Sequence, residues 1–181
     1  MTKERQHQYD IAYMKMAYAI SELSYANRNK VGCIIVSKDG QVISQGFNGT
    51  PSGYDNCCET LVCNSNSRYD CIKYTGQIQD VISFKYCHDC EELKLVTKPE
   101  VLHAESNAIS KCAKQMSSTD NATLYVTLSP CFDCAKIIIQ SGIKRVCYSE
   151  LYRDDSGLKF LEKNNIKIEQ INIWMIILQF L

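Results

Sequence analysis

The chain has 181 residues, of which 45% are apolar and 22% are charged, a balance that fits one globular domain with a single core. Its 20 basic and 20 acidic side chains cancel. This excludes the strong excess of positive charge by which proteins hold long nucleic acids, whereas a small anionic ligand needs only a few donors.

The termini and the cysteines indicate the kind of environment. The first ten residues lack the apolar centre of a secretory signal, and no stretch is long and apolar enough to cross a bilayer, so we expect no membrane partner. The apolar C-terminal INIWMIILQFL is predicted to be a buried strand, a tail that covers the core or a subunit contact. Eleven cysteines in such a chain favour metal ligation and buried thiols in a reducing compartment, the cytoplasm.

The first half of the chain is predicted to form a helix and a hairpin. Apolar side chains at helical spacing, without Gly or Pro, predict a helix over residues 9–26. Two β-rich runs over 31–47 flank Lys38-Asp39-Gly40, a sequence typical of a hairpin turn. The glycine-rich segment 46–56 is a loop. Residues from about 55 to 100 hold six of the eleven cysteines and form an insertion, with a strand or short helix expected only at Val81–Tyr86.

The second half alternates helices with strands. Helices are predicted at 103–114, at 131–142 with Gly142 as its end, and at 157–164; strands are predicted at 123–129, 144–149 and 166–173. This order predicts a single three-layer α/β domain spanning residues 1–181, with a central mixed sheet of about five strands between helices. The early hairpin is antiparallel, and the later strands can be parallel.

Two short clusters carry the chemistry, HAE at 103–105 and PCFDC at 130–134. Cys131 and Cys134 lie three residues apart, so the first turn of a helix presents both sulfurs on one side, where its amides favour thiolates. His103 completes three ligands with one open position, as a catalytic zinc requires. Because two thiolates weaken zinc as a Lewis acid, a carboxylate must take the proton of the water, and Glu105 is the natural base.

A CxxC pair alone is also typical of a closed structural zinc site or of a redox pair. The open catalytic site is favoured because both clusters occur together and no fourth ligand is obvious beside them.

With HAE followed by PCFDC, the chain resembles the zinc-dependent cytidine and deoxycytidylate deaminases, whose signature is H-x-E…P-C-x-x-C. VGCIIVSKDGQVISQGFNGTPSG resembles the VGAVIV…GYNGxPxG region of the deoxycytidylate deaminases, with Phe47 in place of the usual Tyr. TLYVTLSPCFDCAKIIIQSGIKRVCY resembles their corresponding segment almost throughout. The resemblance covers residues 9–57 and 101–160, is weak over 58–100, and is closest to phage and bacterial members.

The resemblance implies a three-layer αβα cytidine-deaminase-like fold. It implies hydrolysis of dCMP to dUMP and ammonia for thymidylate synthesis, in the host cytoplasm if a phage encodes the chain. Glu105 would take a proton from the attacking water, pass it to N3 of the base and help ammonia leave. The implied substrate contacts are the backbone N–H of Ala104, the carbonyl of Ser129, Asn48 at the sugar 3′-hydroxyl, Tyr152 over the nucleotide and Arg28 at the 5′-phosphate. A solvated charge at Arg28, a self-bonded loop residue at Asn48 and a core aromatic at Tyr152 remain alternatives.

Regulation is implied in the same way. Deoxycytidylate deaminases are commonly hexamers that dCTP activates and dTTP inhibits, with Mg²⁺ on the triphosphate. The loop associated with the effector is Gly46-Phe47-Asn48-Gly49, where glycines let backbone amides approach phosphate oxygens.

A second, structural zinc is a further hypothesis. Some phage-type relatives use a cysteine where this chain has Ala26, so that ligand set is not intact. The insertion nevertheless supplies Cys57, Cys58, Cys63, Cys71, Cys87, His88 and Cys90, and the hypothesis builds the second site from some of these, namely Cys57, Cys58, Cys87, His88 and Cys90. The alternative is that these thiols are reduced and partly buried.

Two rival functions stay open. One is a deaminase of the same superfamily that acts on a nucleoside, a free base or tRNA; the neutral charge disfavours tRNA, and GFNGTPSG favours a monophosphate. The other is a non-catalytic, zinc-stabilised nucleotide-binding module, against which Glu105 argues because a purely structural site has no use for a carboxylate there.

Overall fold

The computed structural model describes residues 2–63 and 93–173. They divide into two compact units: residues 2–24, 30–48 and 102–173 belong to the first, and residues 25–29, 49–63 and 93–101 belong to the second. The single domain with an insertion at about 55–100 stays a prediction. The expected element at Val81–Tyr86 and the apolar residues 174–181 lie outside the described residues.

The described residues form helices and strands in this order: α1 (Lys3–Ser21), β1 (Gly32–Val36), β2 (Val42–Phe47), β3 (Glu59–Cys63), β4 (Leu93–Thr97), α2 (Ala104–Lys114), β5 (Thr123–Leu128), α3 (Phe132–Gln140), β6 (Arg145–Glu150), α4 (Ser156–Lys163) and β7 (Lys167–Gln170). No described helix has the length and apolar character that crossing a bilayer would require.

The first unit is built on a five-stranded sheet in the order β2-β1-β5-β6-β7. β1 pairs antiparallel with β2 and with β5, whereas β5, β6 and β7 are parallel. The carboxyl ends of β5 and β6 therefore meet at one edge of the sheet, and at this kind of edge open α/β sheets carry their ligands.

Helices cover both faces of this sheet. On one face, Met14 and Ala17 of α1 pack against sheet residues that include Ile34 and Tyr125. On the other face, α2, α3 and α4 contribute buried side chains to a larger cluster that includes Ala108, Ile138 and Leu161. The three-layer arrangement around a mixed five-stranded sheet is thus confirmed.

The predicted first helix was wrong at both ends. It begins at Lys3, because the Thr2 hydroxyl accepts a hydrogen bond from the Arg5 amide at 3.3 Å and caps it. It ends at Ser21 rather than residue 26, and the chain then turns, with the Ser24 hydroxyl donating to the Asn48 carbonyl at 2.7 Å. The last strand is shorter than predicted, but Ile171 after it is still buried.

The second unit contains an antiparallel pair, β3 and β4, which the sequence analysis did not predict. Its organising residue is Glu59, which is only 2% exposed. The Glu59 carboxylate accepts from the backbone amides of Asn27 at 3.0 Å and Arg28 at 3.3 Å. A buried carboxylate thereby holds the 25–29 segment against β3.

Candidate active site

Two helix starts bring the predicted metal ligands together. His103 and Cys131 are the N-cap residues of α2 and α3, and neither side chain caps its own helix. The Nδ1 atom of His103 instead lies 3.4 Å from the sulfur of Cys131 and 3.4 Å from that of Cys134. The three candidate ligand atoms all lie within 4.8 Å of one another.

This donor set fits zinc. Bonds of about 2.3 Å to sulfur and about 2.1 Å to nitrogen in a tetrahedral site place those ligand atoms about 3.6 Å apart. The observed separations of 3.4 Å agree with that value. Two sulfurs and an imidazole also match the ligand preference of zinc, whereas magnesium prefers oxygen.

The pKa values of the two cysteines shift in opposite directions. The hydrogen bond from the Cys134 thiol, assisted by His103, lowers the pKa of Cys131 to about 4. The same hydrogen bond, together with burial, raises the pKa of Cys134. The hydrogen bond with Cys131 likewise raises the pKa of His103. A metal dication that binds here must displace these protons, so binding weakens in acid.

Glu105 lies in the first turn of α2, beside the cluster, and is only 4% exposed. Burial raises the pKa of this carboxyl above its ordinary value. A carboxyl group whose pKa is moved towards neutrality can both take and return a proton, as a general base and acid must.

Ser129 and Tyr152 lie at the same edge of the sheet, after β5 and β6. The Ser129 amide donates to the Glu150 carbonyl at 2.8 Å, and the Ser129 hydroxyl accepts from the Tyr152 amide at 2.8 Å. Tyr152 is half-buried, and the guanidinium of Arg153 lies 5.4 Å from its ring. Ala104 is fully buried between His103 and Glu105. The substrate roles of Ala104, Ser129 and Tyr152 remain predictions.

The side chain of Asn48 is used by the fold. Its amide oxygen accepts from the Val31 amide at 2.8 Å and from the Ser24 hydroxyl at 2.8 Å. The neighbouring Phe47 carbonyl accepts from the side-chain amide of Asn107 on α2 at 2.8 Å. The loop start is therefore tied to β1 and to the helix that carries Glu105.

Gly46 has a packing role. A Cβ at this position would lie 2.3 Å from the Ala104 carbonyl oxygen and 2.6 Å from the Ala108 nitrogen. Only glycine therefore lets α2 lie this close to β2. Gly46 is buried, as is Gly49 in the second unit, and the assignment of this loop to an effector site stays a prediction.

Arg28 lies in the second unit, where its guanidinium donates to the Thr97 hydroxyl at 3.3 Å. Its phosphate role remains a prediction. Of the candidates for a second zinc, Cys57 donates to the Glu59 carbonyl at 3.3 Å, and Cys58 packs in an apolar cluster with Ala26 and Val101. Burial raises the pKa of Cys58, which disfavours a thiolate. Cys87, His88 and Cys90 lie outside the described residues, so the second zinc also stays a prediction.

The sequence analysis missed Gly157, in the first turn of α4. A Cβ there would lie 2.1 Å from the Pro130 carbonyl oxygen and 2.7 Å from the carbonyl carbon of Cys131. α4 therefore packs directly on the backbone that holds a metal ligand. The available signal was a glycine at the first residue of the predicted helix 157–164, where a residue with a higher helix propensity would be expected unless packing requires glycine.

A family model, a curated protein and a solved structure that match this chain all belong to cytidine or deoxycytidylate deaminases. A family model described as "Cytidine and deoxycytidylate deaminase zinc-binding region" matches residues 7–150. The deoxycytidylate deaminase of Enterobacteria phage T4 is 37% identical in an alignment 151 positions long, which covers 77% of this chain and 76% of that protein. The dCMP deaminase of cyanophage S-TIM5, crystallised in complex with dCMP and dUMP, superposes with a TM-score of 0.68 at 35% identity, over 94% of this chain and 99% of that chain.

More distant structures share the fold alone. A diaminohydroxyphosphoribosylaminopyrimidine deaminase/5-amino-6-(5-phosphoribosylamino)uracil reductase from Thermotoga maritima superposes with a TM-score of 0.58 at 22% identity, over 91% of this chain and 37% of that chain. The three-layer architecture is thus common to deaminases with different substrates.

Proposed function

This chain belongs to the cytidine and deoxycytidylate deaminase family, and we propose that it hydrolyses dCMP to dUMP and ammonia, supplying dUMP for thymidylate synthesis. The observation that carries the proposal is the meeting of His103, Cys131 and Cys134 within 4.8 Å beside the buried Glu105. A closed structural site would not need a buried carboxyl at its edge.

His103, Cys131 and Cys134 would hold the zinc ion. When bound, zinc acts as a Lewis acid that makes water acidic enough to attack near neutral pH. Glu105 takes the proton of the water, because burial has raised the proton affinity of its carboxylate. The same carboxyl then delivers protons to N3 and to the departing amino group. The Ala104 amide and the Ser129 carbonyl orient the base.

The choice of dCMP rests on the relatives. The T4 protein is named a deoxycytidylate deaminase, and the cyanophage enzyme was crystallised with dCMP and dUMP. In this chain we assign the sugar to Asn48, the face of the nucleotide to Tyr152 and the 5′-phosphate to Arg28. The Asn48 hydrogen bonds to Val31 and Ser24 support this assignment, because they hold the residue in one position.

The experiment is an ultraviolet assay of purified protein with dCMP, and with deoxycytidine as the matched substrate without a phosphate. We expect turnover of dCMP and a much lower kcat/KM for deoxycytidine. Glu105→Gln protein from the same purification controls for a contaminating host deaminase. Zinc-loaded protein that leaves dCMP intact, with or without dCTP, would refute the proposal and favour the non-catalytic nucleotide-binding module. Equal kcat/KM values for the two substrates would instead favour a nucleoside deaminase.

We further propose that dCTP activates the enzyme and dTTP inhibits it, with Mg²⁺ on the triphosphate, at the loop Gly46-Phe47-Asn48-Gly49 of a homohexamer. The bond from Asn107 to Phe47 supports this, since it joins the loop to α2 and so to Glu105. The assay is repeated at low dCMP with each triphosphate, with and without Mg²⁺. Rates that neither triphosphate changes would contradict the regulation.

The remaining proposals concern metal content and location. A second zinc from Cys57, Cys58, Cys87, His88 and Cys90 predicts two zinc ions per chain, and metal analysis that finds one contradicts it. A cytoplasmic site of action, in the host if a phage encodes the chain, is supported by seven cysteines that are free thiols: Cys33, Cys57, Cys58, Cys112, Cys131, Cys134 and Cys147. Fractionation of the expressing cell tests it.

A further inference from the structure

The outward face of α1 carries an apolar stripe that the proposed chemistry does not use. The stripe consists of Tyr9, Ala12, Met16, Ala19 and Leu23, all exposed. The exposed fraction is 39% for Tyr9, 42% for Met16 and 55% for Leu23. The side chains that α1 buries, Met14 and Ala17, lie on its other face.

The spacing of the stripe is that of a helix that packs against another helix. Its members follow one another at intervals of three, four, three and four residues, the pattern of the contact positions in a coiled coil. The hydrogen bond from the Leu23 amide to the Ile20 carbonyl, 3.2 Å long, extends the turn past the end of α1. Leu23 thereby continues the stripe.

We propose that this stripe is a two-fold contact between α1 and the antiparallel α1 of a second copy of the chain. In that arrangement Met16 of one copy packs against Ala19 of the other, and Leu23 packs against Ala12. The large side chains Met16 and Leu23 each meet a small one, so the two helices can approach closely; Tyr9 lies beyond this contact, because the position opposite it, 26, is past the end of α1. A surface that is complementary to itself in this way is what a two-fold interface requires.

The charged residues beside the stripe favour the same antiparallel register, in which Met16 lies opposite Ala19 of the second copy. Lys15 and Glu22 are exposed and flank the stripe on one side, and no described residue forms an ion pair with either of them. When Met16 lies opposite Ala19 of the second copy, antiparallel geometry also sets Lys15 opposite Glu22 of that copy, twice per contact. A shift of one heptad would set Lys15 opposite itself, and that repulsion disfavours the alternative.

The same two charges indicate that a second copy of the chain, and not the chain's own C-terminal segment, covers the stripe. Residues 174–181 are apolar but carry no charged side chain. They would leave Lys15 and Glu22 without partners, whereas a second α1 satisfies both.

Sedimentation velocity on the full-length, zinc-loaded protein tests the proposal. Lys15→Glu and Glu22→Lys should each reduce the mass of the oligomer by a factor of about two or more, because each puts like charges opposite each other at both ends of the contact. The double variant should restore the original mass, since it exchanges the charges and keeps them complementary. Met16→Glu should dissociate the contact without rescue.

Lys163→Glu, an exposed change on α4, is the matched control and should leave the mass unchanged. Circular dichroism of each variant confirms that it is folded. A monomeric wild-type chain, or an oligomer whose mass all the stripe variants leave unchanged, would overturn the proposal. Failure of the double variant to restore the mass would overturn the antiparallel register.

Discussion

Gly157→Ala tests whether α4 positions a metal ligand. The added Cβ would lie 2.1 Å from the Pro130 carbonyl oxygen, whereas ordinary contact begins near 3.4 Å, so α4 or the Pro130–Cys131 peptide must move by about 1.3 Å. The neighbouring atoms belong to the backbone, so no side-chain rotation relieves the clash. Overpacking of this severity costs about 3 kcal/mol, against a gain of about 1 kcal/mol for Ala over Gly in a helix. We expect a net loss of about 2 kcal/mol in the free energy of unfolding.

The same movement displaces Cys131, and loss of support around a ligand typically weakens metal binding by about 10- to 100-fold. Competition with a chromophoric chelator measures the zinc affinity, and urea unfolding measures the stability. Lys159→Ala is the matched control, because it lies exposed on the same helix and should leave the zinc affinity unchanged. Wild-type zinc affinity in Gly157→Ala, together with raised stability, would refute the reasoning, because helix propensity alone would then decide the outcome.

Other predictions concern the catalytic base, the metal and the buried ion pair. The Glu105→Gln variant should still contain zinc when its metal content is analysed, but its kcat should fall at least about 100-fold, because the amide cannot accept the proton. Retained turnover would mean that another residue is the base. Chelation should abolish activity, and Zn²⁺ but not Mg²⁺ should restore it, since thiolates prefer zinc; recovery with Mg²⁺ alone would contradict the donor set. Asp10→Asn should cost about 3 kcal/mol in urea unfolding at pH 7, because it breaks the bonds of Asp10 with Arg145 and Tyr125. Burial opposes ionisation of Asp10, but those hydrogen bonds outweigh it and hold the pKa of Asp10 below the ordinary value. The difference in the free energy of unfolding between Asp10→Asn and the wild type should therefore shrink as the pH falls below about 4. A difference that stays the same in acid would contradict the role of the ion pair.

The ion pair between Asp10 and Arg145 shows what kind of contact sequence reasoning cannot reach. Asp10 is 3% exposed and meets Arg145 at 2.7 Å, although the two lie 135 residues apart in the chain. In the sequence, Asp10 lies within a predicted helix and Arg145 within a predicted strand, and nothing marks them as partners. Their pairing exists only because α1 packs on the face of the sheet at β5 and β6.

The sequence by itself determined the features that depend on neighbouring residues. Alternating apolar patterns predicted the order of helices and strands in the first unit, and Asp39-Gly40 predicted the hairpin turn, where Gly40 has a φ of +82°. The motifs at 103–105 and 130–134 identified the metal ligands and the base, because a helix start places residues three apart on one side. The β3–β4 pair was missed, since its short strands lie in a segment without clear alternation.

Only the tertiary structure decided how these local features meet. His103 and Cys131 are 28 residues apart in the chain. The distance of 3.4 Å between the Nδ1 atom of His103 and the sulfur of Cys131 follows from the packing of α2 and α3 on one face of the sheet. Gly46 lets α2 approach β2, and Gly157 lets α4 approach the backbone of Pro130 and Cys131, each more closely than a side chain would permit. The local periodicity of apolar residues indicates which face of a helix or strand is buried. Which other helix or strand packs against that face depends on the whole fold. The sequence could therefore name the residues of the site, and the fold alone set the distances between them.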